Sequence, residues 1–186
     1  MSAPAPITLT SADTNWPASL AERMGSSAPP ALQVIGPVAL LAGYKTALFC
    51  SARTPGDAIL RTHDTARQLR DQGITVISGF HSPIEKECLQ ILLRGQQPII
   101  LCPARTIAAM HIPAECRVAF DAGRLLFLSP FLESPRRVTK DSALYRNEVV
   151  AALAEDVFIA HIAPGGQTEH IAAMLERWGV PSVSLP

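Results

Sequence analysis

Short, uninterrupted runs of apolar residues recur along the chain from residue 45 onward. The runs do not alternate with polar residues, and this pattern is typical of strands that are covered on both faces. The predicted strands are Thr46–Cys50, Ile74–Ser78, Pro98–Cys102, Leu125–Ser129, Asp156–Ala160 and Pro181–Leu185. Because such strands need a layer on each side, the pattern favours a parallel sheet between two layers of helices.

Segments in which apolar residues follow helical spacing lie between these runs. The predicted helices are Asp57–Gln72, Pro83–Arg94, Ala143–Glu155 and Gln167–Trp178. Gly73, Gly95 and Gly179 follow three of them, in the position where glycine commonly ends a helix. Strands that alternate with helices connect through right-handed crossovers, so we expect an α/β fold. Specifically, we expect a Rossmann-like, doubly wound, mostly parallel sheet with helices on both faces.

The first part of the chain is less regular. Residues 1–15 are rich in Pro, Ser, Thr and Ala and are predicted to form a flexible N-terminal arm. Residues 16–44 contain a short helical segment, a Pro-Pro break and an apolar piece from Leu32 to Leu41, and are predicted to be an N-terminal helical extension. Residues 45–186 then form the Rossmann-like domain.

Charge and cysteine content restrict the possible partners. Lys and Arg total 16 and Asp and Glu total 16, so the formal net charge is zero. That balance argues against avid, non-specific nucleic-acid binding but permits a local basic pocket. The four cysteines have no metal-ligand spacing and are expected to be buried free thiols. With no signal peptide and no membrane-length apolar run, we expect a cytoplasmic protein without a metal or cofactor.

The topology directs attention to the loops that follow the strands. In doubly wound sheets, ligands bind beyond the carboxyl ends of the strands, near the change in strand order. Candidate nucleic-acid or phosphate ligands in these loops and the helices after them are Ser51, Arg53, Thr54, Ser78, Gly79, His81, Ser82, Arg146, Asn147, Gly165, Gly166 and Thr168. No catalytic residue is predicted among them.

Residues 78–82 carry the most specific expectation. A strand that ends in Ser78-Gly79 and leads directly into a helix aims several backbone N–H groups at one point, which suits a phosphate. The alternative is an ordinary turn in which Ser82 caps a helix with Pro83 at its first position. The Gly165-Gly166 turn before the last helix offers similar backbone donors, or is simply a flexible break.

Several of these loops resemble the DprA/Smf family of DNA-processing proteins. The motifs that carry the resemblance are Trp16-Pro17-x-x-Leu20, Pro29-Pro30-x-Leu32 with Gly36, Cys50-Ser51-Ala52-Arg53, Val76-Ile77-Ser78-Gly79 with Ile84-Glu85, Leu128-Ser129-Pro130 and Arg146-Asn147. They occur in the family's order from about Trp16 to the end of the chain. The chain departs from the family pattern at several positions. Cys50 replaces a glycine, Arg53 is displaced along its loop, His81-Ser82-Pro83 replaces an Ala-x-Gly segment, Leu89 replaces a histidine and Glu148 replaces an arginine.

The resemblance implies a Rossmann-like fold and a homodimer that binds single-stranded DNA and loads a RecA-type recombinase onto it. It also implies that the protein is not an enzyme. A sister branch of the superfamily, the cytokinin-activating phosphoribohydrolases, is similar at Pro164-Gly165-Gly166-Gln167-Thr168-Glu169. The alternative function is therefore a nucleotide or nucleotide-derivative sensor, or a phosphoribohydrolase-like protein. A scaffold that contacts only proteins is a third possibility.

Overall fold

The computed structural model describes residues 3–51, 54–133 and 138–184. Its strands are β1 (Ile7–Thr10), β2 (Ala31–Ile35), β3 (Lys45–Phe49), β4 (Thr75–Ser78), β5 (Ile99–Leu101), β6 (Leu125–Ser129), β7 (Asp156–Ile159) and β8 (Ser182–Ser184). Its helices are α1 (Ala18–Met24), α2 (Gly56–Asp71), α3 (Pro83–Leu93), α4 (Arg117–Asp121), α5 (Lys140–Leu153) and α6 (Gln167–Trp178). The predicted α/β class is confirmed.

The strands form one sheet in the order β1-β2-β6-β5-β4-β3-β7-β8. Strands β3 to β8 pair in parallel, whereas β2 runs antiparallel to β6 and β1 antiparallel to β2. The chain moves from β3 through β4 and β5 to β6 in one direction and then returns to place β7 on the other side of β3. The strand order therefore reverses between β3 and β7, and a ligand is expected beyond the carboxyl ends of these two strands.

Two hydrophobic layers bury the two faces of the sheet. Consecutive strand residues point to opposite faces, so Ile77 packs in the layer that contains α1, α5 and α6, while Val76 packs in the layer that contains α2, α3 and α4. Both side chains are fully buried. Helices on both faces explain why the parallel strands read as continuous apolar runs.

Two strands lie where the sequence predicted none, and these assignments need correction. Residues 7–10, placed in the predicted N-terminal arm, form the edge strand β1, with Leu9 buried and Ile7 exposed. Residues 31–35, placed in the predicted helical extension, form β2 inside the same sheet as the Rossmann-like domain. A short apolar run cannot be assigned to helix or strand by periodicity alone, because a buried segment of either type is apolar throughout.

The cysteines are buried free thiols, as expected: Cys50, Cys88, Cys102 and Cys116. Burial raises the pKa of the Cys102 thiol to about 12 and that of Cys116 to about 11. Within the described ranges, no helix is long and apolar enough to cross a membrane. The same part of the chain contains no cluster of three or more metal-ligating side chains.

Candidate functional site

A cavity of about 560 Å³ opens at the carboxyl end of the sheet, at the reversal between β3 and β7. Its walls come from the segment after β3, the loop between β4 and α3, the first turns of α5 and the turn that leads into α6. Eight of the predicted site residues line it: Ser51, His81, Ser82, Arg146, Asn147, Gly165, Gly166 and Thr168. The fold thus brings most of the candidate residues to one place.

The remaining four candidates have other positions. Arg53 lies outside the described residues. The Thr54 hydroxyl donates to the Ser51 carbonyl at 2.7 Å, which closes the turn after β3. The Ser78 side chain is fully buried, and its hydroxyl donates to the Leu48 carbonyl at 2.7 Å, linking β4 to β3. Gly79 does not line the cavity, but its backbone packs against the guanidinium of Arg146, which does.

The predicted phosphate site at residues 78–82 is already occupied by a carboxylate of the chain itself. Glu85 is 7% exposed, and its Oε2 accepts from the backbone N–H groups of His81 at 2.8 Å and Ser82 at 3.1 Å. Its Oε1 accepts from the N–H of Cys50 at 3.1 Å. These donors therefore face Glu85 and not the cavity, so the structure corrects the expectation of a backbone phosphate cradle in this loop.

Ser82 has the capping role that was the alternative expectation. Its hydroxyl accepts from the Glu85 N–H at 3.2 Å, while Glu85 reaches back to the Ser82 N–H, forming a reciprocal capping box. Pro83 occupies the first position of α3, where its missing N–H costs nothing. Together with the Cys50 contact, this arrangement fixes two loops that border the cavity.

Arg146 is the buried cation of the cavity wall. Its residue is only 4% exposed, and one guanidinium nitrogen, Nη1, donates to the Cys102 carbonyl at 2.9 Å. The guanidinium packs directly on the backbone of Gly79, since a Cβ atom there would lie 1.7 Å from Nη1 and 2.0 Å from Cζ. Gly79 is thus required to give Arg146 its place at the ends of β4 and β5. Nη2 donates to no described residue.

A chain of side-chain hydrogen bonds holds Arg146 at the cavity. Its Nε donates to Asn147 Oδ1 at 2.8 Å, and Asn147 Nδ2 donates to Gln167 Oε1 at 3.3 Å. Gln167 Nε2 in turn donates to the Lys140 carbonyl at 3.1 Å. The network connects the start of α5 with the start of α6, so it orients Arg146 and holds two walls of the cavity together.

The amino end of α6 is the open set of backbone donors in this cavity. Gly166 caps the helix without a side-chain hydrogen bond, and the N–H groups of Gln167, Thr168 and Glu169 donate to no described residue. The Glu169 carboxylate accepts from the Gly165 N–H at 2.8 Å instead. An uncapped helix end carries partial positive charge, and here it points at the same space as Arg146.

Three charged or amide side chains of the cavity wall, those of Lys140, Gln167 and Glu85, were not among the site residues predicted from the sequence. Lys140 is exposed and forms no ion pair with a described residue, whereas Gln167 and Glu85 position their neighbours. Lys140 lies here because α5 begins at residue 140, three residues earlier than predicted. Thr139 and Ser142 form a capping box that starts the helix there. The Ser82-x-x-Glu85 pattern is that of a capping box, and it indicates from sequence alone that the Glu85 side chain turns back to the start of its helix.

Comparison with known proteins gives a family and a fold. The family described as DNA recombination-mediator protein A matches residues 7–173. No curated protein sequence matches the chain. Among solved structures, DNA processing protein A (DprA) from Streptococcus pneumoniae is similar with a TM-score of 0.80 at 18% identity, over 97% of this chain and 63% of that one.

A second similar structure is that of DNA processing protein A from Helicobacter pylori, described for its unique single-stranded DNA binding mode. It has a TM-score of 0.76 at 22% identity, over 97% of this chain and 80% of that one. At such identities the two structures establish the shared fold. The present chain spans less than two thirds of the S. pneumoniae protein. On the family match over residues 7–173, the chain belongs to the DNA recombination-mediator protein A family.

Proposed function

We propose that the chain binds single-stranded DNA through the cavity at the carboxyl end of the sheet. The observation that carries the proposal is the convergence of Arg146, Lys140 and the uncapped amino end of α6 on one open space. A guanidinium, an ammonium and free backbone N–H groups are all donors for phosphate oxygens. A DNA phosphate would therefore sit at α6, and not in the loop that Glu85 fills.

Zero net charge is consistent with this proposal, because the cations that matter are local. Glu85 is the carboxylate in the cavity wall, and its oxygens accept from three backbone N–H groups. Lys140 forms no ion pair with a described residue, and Arg146, although held by Cys102 and Asn147, is paired with no carboxylate among the described residues. The resulting local field attracts a polyanion even though the chain as a whole is neutral.

Family membership supports the other elements of the proposal. These are a homodimer, a RecA-type recombinase as protein partner, a cytoplasmic location and a role as mediator rather than enzyme. The hydrogen bonds of Glu85 fit the last of these, because a carboxylate that accepts from three backbone N–H groups is poorly placed to remove a proton from a ligand.

A free nucleotide is the second candidate ligand. The cavity volume, about 560 Å³, lies within the range of small-molecule sites. The Gly165-Gly166 turn before α6 also permits a close approach of the backbone to a phosphate. In this case a mononucleotide alone would occupy the site with high affinity.

Fluorescence anisotropy of labelled oligo-dT tests the proposal and separates the two candidates. We expect wild-type protein to bind a twenty-nucleotide dT strand at micromolar or lower concentration in low salt, with affinity falling as salt is raised. Unlabelled dTMP should compete only weakly. Absence of binding at micromolar protein in low salt would overturn the proposal, and full displacement by low micromolar dTMP would favour the nucleotide sensor.

A further inference from the structure

A second cavity, of about 470 Å³, lies on the other side of the loop between β4 and α3. Its floor is apolar and includes Phe80, Leu89, Leu101 and Cys116, and its rim carries Lys86 and Arg105. It opens at the carboxyl ends of β4 and β5, which is the same sheet edge as the first cavity. None of its residues takes part in the site described above.

Consecutive residues separate the two cavities. Phe80 contributes to the floor of the second cavity, while His81, the next residue, lines the first. Phe80 has φ of 46°, a left-handed conformation that is uncommon for a bulky residue. This conformation buries Phe80 to 5% exposure while His81 stays exposed. A strained residue between two cavities is the kind of feature that accompanies a binding site.

The second cavity is lined by two cations, which favour an anionic ligand, and by two carboxylates, which oppose it. Lys86 and Arg105 are exposed and form no ion pair with a described residue. Two carboxylates also line the cavity. Glu87 Oε2 lies 2.9 Å from His63 Nε2, although the two groups are not aligned for a hydrogen bond. The Glu87 carboxylate is therefore directed at His63. Glu115 is exposed and unpaired among the described residues.

We propose that the second cavity is a subsite for a further nucleotide of the DNA strand held in the first cavity. The strand would cross the loop at His81, place a base on the apolar floor and bring a phosphate to Lys86 and Arg105. A polymer that lies along one sheet edge can reach both cavities, whereas a mononucleotide cannot. The second subsite presupposes the DNA binding proposed above and explains why longer strands should bind better.

Charge changes of opposite sign at this cavity provide the test. Anisotropy titrations with dT3 and dT12 would compare wild type, Lys86→Ala/Arg105→Ala and Glu115→Gln. We expect the double variant to bind dT12 about tenfold more weakly but dT3 less than twofold more weakly. For dT12, the slope of the logarithm of the binding constant against the logarithm of salt concentration should become about 1.4 less steep in the double variant. Each of the two lost phosphate contacts on a single strand contributes about 0.7 to that slope. Glu115→Gln should strengthen dT12 binding.

The control removes the same charge elsewhere. Arg67 and Arg94 are exposed and lie outside both cavities, so Arg67→Ala/Arg94→Ala should bind dT12 like wild type. Unchanged dT12 binding by the Lys86/Arg105 variant, or equal losses for dT3 and dT12, would overturn the subsite alone. A wild-type protein that binds neither oligonucleotide would overturn the proposed function, and the two failures are thereby distinguished.

Discussion

Replacing Gly79 by alanine should weaken single-stranded DNA binding by about tenfold or more. The new methyl group would lie 1.7 Å from Arg146 Nη1, so the guanidinium must leave its position and lose its hydrogen bond to the Cys102 carbonyl. A hydrogen bond from this guanidinium to a DNA phosphate would contribute about 1.5–3 kcal/mol to binding, so its loss corresponds to roughly a tenfold to hundredfold weaker affinity. Anisotropy with labelled oligo-dT measures the loss directly.

A double-mutant cycle shows whether the effect passes through Arg146. If Gly79 acts only by making room for the guanidinium, Arg146→Ala removes the conflict, and Gly79→Ala/Arg146→Ala should bind no more weakly than Arg146→Ala alone. Additive losses would indicate that Gly79 contributes by another route. Normal binding by the Gly79→Ala variant would contradict the assigned role of Arg146.

Replacing Glu85 by alanine should have the largest effect on stability. Three backbone N–H groups, those of Cys50, His81 and Ser82, would lose their acceptor. A buried donor without a partner costs about 1–3 kcal/mol, and partial rearrangement of the loops leads us to expect a total loss of about 3–5 kcal/mol. The free energy of unfolding from urea titration provides the measurement.

Two variants control for this result. Glu85→Gln keeps one carbonyl acceptor but presents an amide donor to the other N–H groups, so its loss should be intermediate. Glu87 lies on the same helix with its side chain 58% exposed, and Glu87→Ala should change stability by no more than about 0.5 kcal/mol. A Glu85→Ala variant as stable as Glu87→Ala would show that the three hydrogen bonds are not important for the fold.

The sequence predicted the elements of the central sheet well, because long periodic helices and apolar strands have strong local signals. Helix α6 begins and ends where predicted, and Gly179 closes it with φ of 66°. Strand β2 was missed because a short apolar run with a buried Gln33 fits either a helix or a strand. Its place in the sheet depends on pairing with β6, which is distant in sequence.

The rule for doubly wound sheets selected the sheet edge at which the cavity opens, and the loops at that edge supply most of the cavity wall. The rule does not reveal which backbone N–H groups are free, because that depends on whether a neighbouring side chain accepts their hydrogen bonds. Glu85 accepts from the N–H groups of His81 and Ser82, whereas Gly166 has no side chain that could accept from the first N–H groups of α6. Arg146 could equally have belonged to a solvated helix face until Gly79 and Cys102 fixed its position.

The most direct test of the central claim is a charge reversal at Lys140. This side chain is exposed, lines the cavity and pairs with no described residue, so Lys140→Glu should leave the fold unchanged. Arg94→Glu, at the opposite end of α3 from the cavity, makes the same change in net charge. By anisotropy with labelled oligo-dT in low salt, we predict at least a tenfold loss of affinity for Lys140→Glu and near wild-type affinity for Arg94→Glu. Equal affinities for the two variants would contradict DNA binding at this cavity.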